Sequence, residues 1–131
     1  MKILLVDDDS DDQYFIQEAL ASIDPSITCK SAGDGEEALS ILAKSEELPD
    51  IIFLDINMPR MDGRECLKAI RRDPRLRQAN VFVISTSVSR DDEMLLGALG
   101  APFMVKPNDY SALANNLSEC LEKFRKPVSV N

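Results

Sequence analysis

Carboxylates gather at two points in this sequence where a run of apolar residues stops abruptly. Residues 3–6 run into Asp7, Asp8 and Asp9, and residues 51–54 run into Asp55. Carboxylates held close together repel one another and raise each other's proton affinity unless a cation lies between them. Mg²⁺ suits such a place, because it prefers hard oxygen ligands, binds through one or two carboxylates and keeps several waters. Two further apolar runs stop in groups that suit an anion. Residues 81–85 end in the hydroxyls of Ser85, Thr86 and Ser87, and residues 103–105 lead into Lys106-Pro107. A hydroxyl supplies a donor and a lysine supplies a point charge. Each is commonplace alone, so it is their arrival beside the carboxylates that would carry meaning.

Periodicity indicates how the chain brings these groups together. The four runs are nearly continuous in Ile, Leu, Val and Phe without internal Gly or Pro, as buried parallel strands are. Residues 27–31 alternate apolar and polar side chains and read as an edge strand. Between the strands lie segments of helical period. They carry Phe15, Ile16, Ala19, Leu20 and Ile23, then Ala38, Leu39, Ile41 and Leu42, then Leu67 and Ile70. Met94, Leu95, Ala98 and Leu99 follow, and finally Leu113, Leu117, Leu121 and Phe124. Helix starts are expected at Ser10 with Gln13, Asp34 with Glu37, Ser89 with Asp92, and Asp109 before Leu113. Strict alternation of strand and helix implies a parallel sheet covered on both faces. Parallel neighbours end at one edge, so Asp7, Asp8, Asp55, Ser85 and Lys106 are expected around one crevice. Asp9, Asp11 and Asp12 serve equally well as helix N-terminal charge favoured by the dipole. After Asp55, Pro59 favours an extended or turn backbone and Asp62-Gly63 permits a tight turn before the next helix. A cis Lys106–Pro107 bond would aim the lysine inward.

Composition narrows the function. With 131 residues and 44% apolar content, one compact domain is expected, over residues 1–126, with a short tail at 127–131 after the helix stop at Pro127. Fifteen basic against twenty-three acidic residues give a net charge of -8, which repels nucleic acid and favours a cation or a basic protein. Cys29, Cys66 and Cys120 stand far apart with no histidine in the chain, so they read as buried apolar residues in a reducing cytoplasm. The opening apolar run is too short for a signal segment or a membrane span. Arg71, Arg72, Arg75 and Arg77 form either a solvated basic loop or a partner patch.

Taken in order, these pieces resemble a response-regulator receiver domain across residues 2–124. The resemblance is carried by Asp7-Asp8, the loop LDINMPRMDG from Leu54 to Gly63, the strand-end hydroxyl, Gly100-Ala101 and Lys106-Pro107. It implies a flavodoxin-like sheet of five parallel strands in the order 2-1-3-4-5 with five helices on both faces. It further implies that Asp55 accepts a phosphoryl group from a phosphohistidine on a sensor histidine kinase or phosphotransfer protein. Asp8, Asp55 and the backbone carbonyl of Asn57 would ligate Mg²⁺, with Asp7 acting mainly through water. Lys106 and Ser85 would hold phosphoryl oxygens, with Thr86 as the alternative hydroxyl. Phe103 takes the place of the switch aromatic but has no phenolic hydroxyl. Asn57 and Ser87 occupy positions that tune phosphate loss in the family. Output is expected through contacts of the fourth helix, fifth strand and fifth helix with a downstream protein, since no output domain follows in this polypeptide. The hydroxyl pair and the acidic start of the first helix are also similar to stand-alone receivers that work beside phytochrome-type kinases.

Two other functions fit parts of the pattern. A Mg²⁺-dependent phosphatase of the haloacid-dehalogenase type would use Asp7 and Asp9 as its D-x-D pair, but the later acidic pair is missing and Asp55 would have no task. A receiver-like interaction module that is never phosphorylated would have lost the acidic residues or the lysine, and all are present. Beyond its own phosphorylation and dephosphorylation, the receiver reading expects no enzyme.

Overall fold

The computed structural model describes residues 1–58 and 60–124. Pro59 and the proposed tail with its stop at Pro127 lie outside the described residues. Ten elements alternate along the chain: β1 (Lys2–Val6), α1 (Ser10–Ile23), β2 (Thr28–Ala32), α2 (Gly35–Lys44), β3 (Ile51–Leu54), α3 (Gly63–Arg72), β4 (Val81–Ser85), α4 (Arg90–Ala98), β5 (Phe103–Val105) and α5 (Tyr110–Phe124). The strands form one parallel sheet in the order β2-β1-β3-β4-β5. This is the expected flavodoxin-like architecture, with its edge strand one residue later than the alternation indicated.

Side chains that alternate along each strand divide the core in two. Leu4, Val6, Ile52, Leu54, Val81 and Val83 pack against α2, α3 and α4 through Leu42, Leu67, Ile70 and Leu96. Ile3, Leu5, Ile51, Phe53, Phe82 and Ile84 face α1 and α5 through Ile16, Leu20, Leu117 and Leu121. Both faces of β1, β3 and β4 are therefore dry, which is why these strands read as continuous apolar runs. Full burial of each such side chain contributes about 1.5–3 kcal/mol.

Several local expectations are corrected. Asp9, not Ser10, caps α1, accepting bonds from the Asp11 and Asp12 amides, because the helix begins one residue earlier than the Ser10–Gln13 pair suggested. Asp34 and the Ser89–Asp92 box cap α2 and α4 as expected, and Asp109 accepts a bond from the Ser111 amide. Met94 is 73% exposed and Phe15 is 50% exposed, although both belong to the apolar stripes read from the sequence. Three consecutive apolar residues, Met94 to Leu96, left the phase of α4 open, and the core takes Leu96. Cys66 and Cys120 are buried, whereas Cys29 is only half-buried on the edge strand. Burial pushes both the Cys66 and Cys120 thiols up to about 12, which keeps them protonated and inert.

The arginine run is not simply a basic loop. Arg71 is half-buried and donates to the carbonyls of Leu99 at 2.7 Å, Ala79 at 2.8 Å, Arg77 at 3.0 Å and Gly100 at 3.4 Å. Arg75 donates to the Leu42 carbonyl at 2.7 Å and to that of Ser45. Both guanidinium groups thus supply donors to carbonyls at helix ends and in the neighbouring loops. One of those ends is the Gly100 turn. There φ is 66° and the Ala101 amide donates to the Leu96 carbonyl, closing α4 in a left-handed cap.

Candidate functional site

Backbone hydrogen bonds bring the strand ends level. The Asp7 amide donates to Ala32 at 3.0 Å, that of Asp55 to Val6 at 2.9 Å and that of Lys106 to Ser85 at 2.7 Å. Asp7, Asp8 and Asp55 accordingly meet, and each offers an oxygen within 4.8 Å of the others. Asp7 and Asp55 are buried and Asp8 is exposed, so the cluster has a dry floor and an open mouth. Three hard anionic oxygens with one face open fit a divalent cation. The start of α3 is pressed onto this floor. A Cβ at Gly63 would lie 2.1 Å from the Asp55 carbonyl oxygen, so only glycine lets the helix begin there.

Lys106 extends into the cluster. Its Nζ lies 2.8 Å from Asp7 Oδ2, 2.8 Å from Asp12 Oδ2 and 3.8 Å from Asp55 Oδ2. There is no cis peptide bond among the described residues, so Lys106–Pro107 is trans and the lysine reaches inward without the cis bond that would have been one way to aim it. The three carboxylates are enough to direct the lysine. Burial would lower the Lys106 pKa, but hydrogen bonds to Asp12 and Asp7 outweigh it and hold the ammonium above its ordinary value. Burial raises the Asp7 and Asp55 carboxyls above the usual aspartate range. The Lys106 ammonium opposes this at both, as do the Asp9 amide at Asp7 and the Asn57 amide at Asp55, the last donating to Asp55 Oδ1 at 2.9 Å. Desolvation of two adjacent carboxylates exceeds what one shared ammonium returns.

Of the two candidate hydroxyls, Ser85 is fully buried and Thr86 is exposed. The Ser85 hydroxyl accepts a bond from Asn57 Nδ2 at 2.7 Å and donates to the Ser87 carbonyl at 3.1 Å. Phe103 is half-buried against the core that α2, α3 and α4 cover. Residues 3–118 match the family described as the response regulator receiver domain. The chain belongs to that family.

Relatives of this receiver domain include the response regulator Rcp1 of Synechocystis sp., 33% identical over 89% of this chain and 79% of that protein. The probable C4-dicarboxylate response regulator DctR of Bacillus subtilis is 29% identical over 95% of this chain, which spans 52% of DctR. Among solved structures, the phosphorylated cyanobacterial phytochrome response regulator RcpA has a TM-score of 0.83 at 36% identity, covering 94% of this chain and 91% of that one. Mn²⁺-bound Rcp1 has a TM-score of 0.85 at 27% identity, covering 99% of this chain and 98% of that one. The receiver family serves two-component signalling and comprises regulators rather than classical enzymes. Membership removes the haloacid-dehalogenase alternative. Its partners are histidine kinases, and receiver segments like this chain also occur within sensor kinases. Among the described residues, no helix is long and apolar enough to cross a membrane.

Four polar residues around the site make contacts that the sequence does not announce. Asp12 shares the lysine with Asp7, and Gln13 Nε2 donates to the Asp7 carbonyl. Arg64 and Asp92 form a partly buried fork between α3 and α4. In the sequence, Asp92 reads as a capping residue alone. An arginine directly after Asp62-Gly63 was the available signal for Arg64, but its partner lies 28 residues away.

Proposed function

We propose that this receiver domain, residues 1–126, is a phosphorelay switch of the stand-alone type whose phosphoacceptor is Asp55. The observation that carries this reading is the placement of the Lys106 ammonium 3.8 Å from Asp55 Oδ2, beside the cluster of Asp7, Asp8 and Asp55. Phosphoryl transfer asks mainly for positioning and neutralisation of oxygen charge, and these groups are arranged for both. An Asp55 carboxylate oxygen attacks phosphorus, the bond from phosphorus to the donor imidazole nitrogen breaks, and an aspartyl phosphate results. Asp7, Asp8, Asp55 and the Asn57 carbonyl would hold Mg²⁺, which when bound offsets charge on the phosphoryl oxygens. Lys106 exchanges its contact with Asp12 for a phosphoryl oxygen, and the Ser85 hydroxyl turns to another. Thr86 and Phe103 then follow the loop after β4, and the face of α4, β5 and α5 presents a changed surface to a downstream protein. The donor is a cytoplasmic sensor histidine kinase or phosphotransfer protein.

Intact mass after incubation with a small phosphodonor and Mg²⁺ tests the reading. One labile phosphoryl group is expected, absent in Asp55→Ala and retained in Asp9→Ala, since Asp9 only caps α1. Addition that persists in Asp55→Ala refutes the assignment. No addition to the unsubstituted protein would favour an interaction module that is never phosphorylated.

A further inference from the structure

The loops that follow β3 and β4 are tied together by contacts that phosphoryl acceptance by itself does not require. Arg64, in the first turn of α3, donates from Nε to Asp92 Oδ1 at 2.6 Å and from Nη2 to Asp92 Oδ2 at 2.9 Å. Its Nη1 reaches the Ile56 carbonyl at 3.0 Å, and Nη2 also lies 3.4 Å from Asn57 Oδ1. Asp92 is buried inside the first turn of α4, where its carboxylate accepts from the Ser89 amide and its own amide donates to Ser89 Oγ. Asn57 meanwhile directs its Nδ2 to Ser85 Oγ at 2.7 Å and to the Ser87 carbonyl at 3.2 Å. A carboxamide has one accepting and one donating end. With the oxygen turned to Arg64, the NH₂ group is left to face Ser85.

We infer that Arg64 is a positioning residue: it orients Asn57 so that the amide retains the Ser85 hydroxyl, and it fastens the start of α4 to the same network through Asp92. The inference rests on the reading of Asp55 as phosphoacceptor, with Ser85 as the group that must turn to the phosphoryl. To donate to a phosphoryl oxygen the hydroxyl must withdraw its proton from the Ser87 carbonyl, and swinging Oγ toward the phosphoryl group carries it away from the Asn57 amide that holds it. The bridge Asp92–Arg64–Asn57–Ser85 therefore favours the arrangement described here over the phosphorylated one, and a bond present in only one of two states biases their equilibrium. A forked guanidinium is needed, because lysine presents a point charge that cannot span Asp92 and Asn57 together.

Arg64→Gln and Arg64→Lys in the full chain test this. Calorimetry reads the affinity for beryllium fluoride, a phosphoryl mimic, in the presence of Mg²⁺, and amide exchange reads the first turn of α4 in the protein without the mimic. Arg64→Gln should bind the mimic about fivefold more tightly or better, the low end of ordinary coupling. It should also exchange faster over residues 90–94, with Arg64→Lys intermediate in both. Affinity within about twofold of the unsubstituted protein, or weaker affinity, overturns the inference even if the melting temperature falls, because a mere brace would lower stability alone. If the unsubstituted protein binds no mimic, the phosphoacceptor reading fails. The exchange measurement then decides by itself whether Arg64 holds α4, and unchanged exchange overturns that too.

Discussion

Replacing Gly63 with alanine tests how closely the start of α3 is seated on the backbone of Asp55. The added Cβ would lie 2.1 Å from the Asp55 carbonyl oxygen, 2.5 Å from Ile56 Cα and 2.8 Å from the Asp55 carbonyl carbon. Close carbon–oxygen contacts begin at about 3.3 Å, so helix and strand end must part by roughly 1.2 Å. All three obstacles are backbone atoms, and no rotamer change relieves them. Overpacking of this kind costs about 1–3 kcal/mol. For a chain of this length, that lowers the melting temperature by about 4–11 °C. The same displacement moves the proposed nucleophile by about the ångström that costs roughly 100-fold in a positioned reaction. Initial rates of phosphorylation by a small phosphodonor, read by intact mass at fixed Mg²⁺, should therefore fall about 100-fold while the circular dichroism of the folded protein is retained. Gly97→Ala is the internal control. Its Cβ meets nothing within 4 Å, and in the last turn of α4 the substitution should stabilise by up to about 0.5–1 kcal/mol without a rate change. A Gly63→Ala protein that is phosphorylated within about threefold of the unsubstituted rate would refute the argument that this glycine positions Asp55.

Two further predictions concern charge. Because burial holds the Asp7 and Asp55 carboxyls above the usual range, the folded protein without a divalent ion binds more protons than the unfolded chain between the ordinary and raised values. The contribution of these groups to stability therefore falls as pH rises through that window. Asp55→Asn should thus gain stability over the unsubstituted protein as pH is raised from about 4 to 7 in a chelator, measured by urea denaturation. A difference independent of pH would count against a raised Asp55. Arg71→Met removes donors from four carbonyls at the opposite end of α3. It should cost about 2–3 kcal/mol by the same denaturation assay while leaving the phosphorylation rate unchanged.

Much of this molecule was already legible in the order of its residues. Runs such as residues 51–54 are apolar on both faces because both faces are buried, and an abrupt stop in aspartate can be recognised without coordinates. Strand alternation with helices then requires a parallel sheet, and a parallel sheet brings Asp7, Asp8, Asp55, Ser85 and Lys106 to one edge. Other features depended on distance across the fold. Met94, Leu95 and Leu96 offer α4 three possible phases, and packing alone chose Leu96. Lysine at a strand end can meet any nearby anion, and the turn of α1 that carries Asp12 decided that it would be shared with Asp7. Arg71 and Arg64 show the same limit. A guanidinium is equally at home in water or on a ring of carbonyls and carboxylates, and its surroundings arise only when segments 28 residues apart in sequence are folded together.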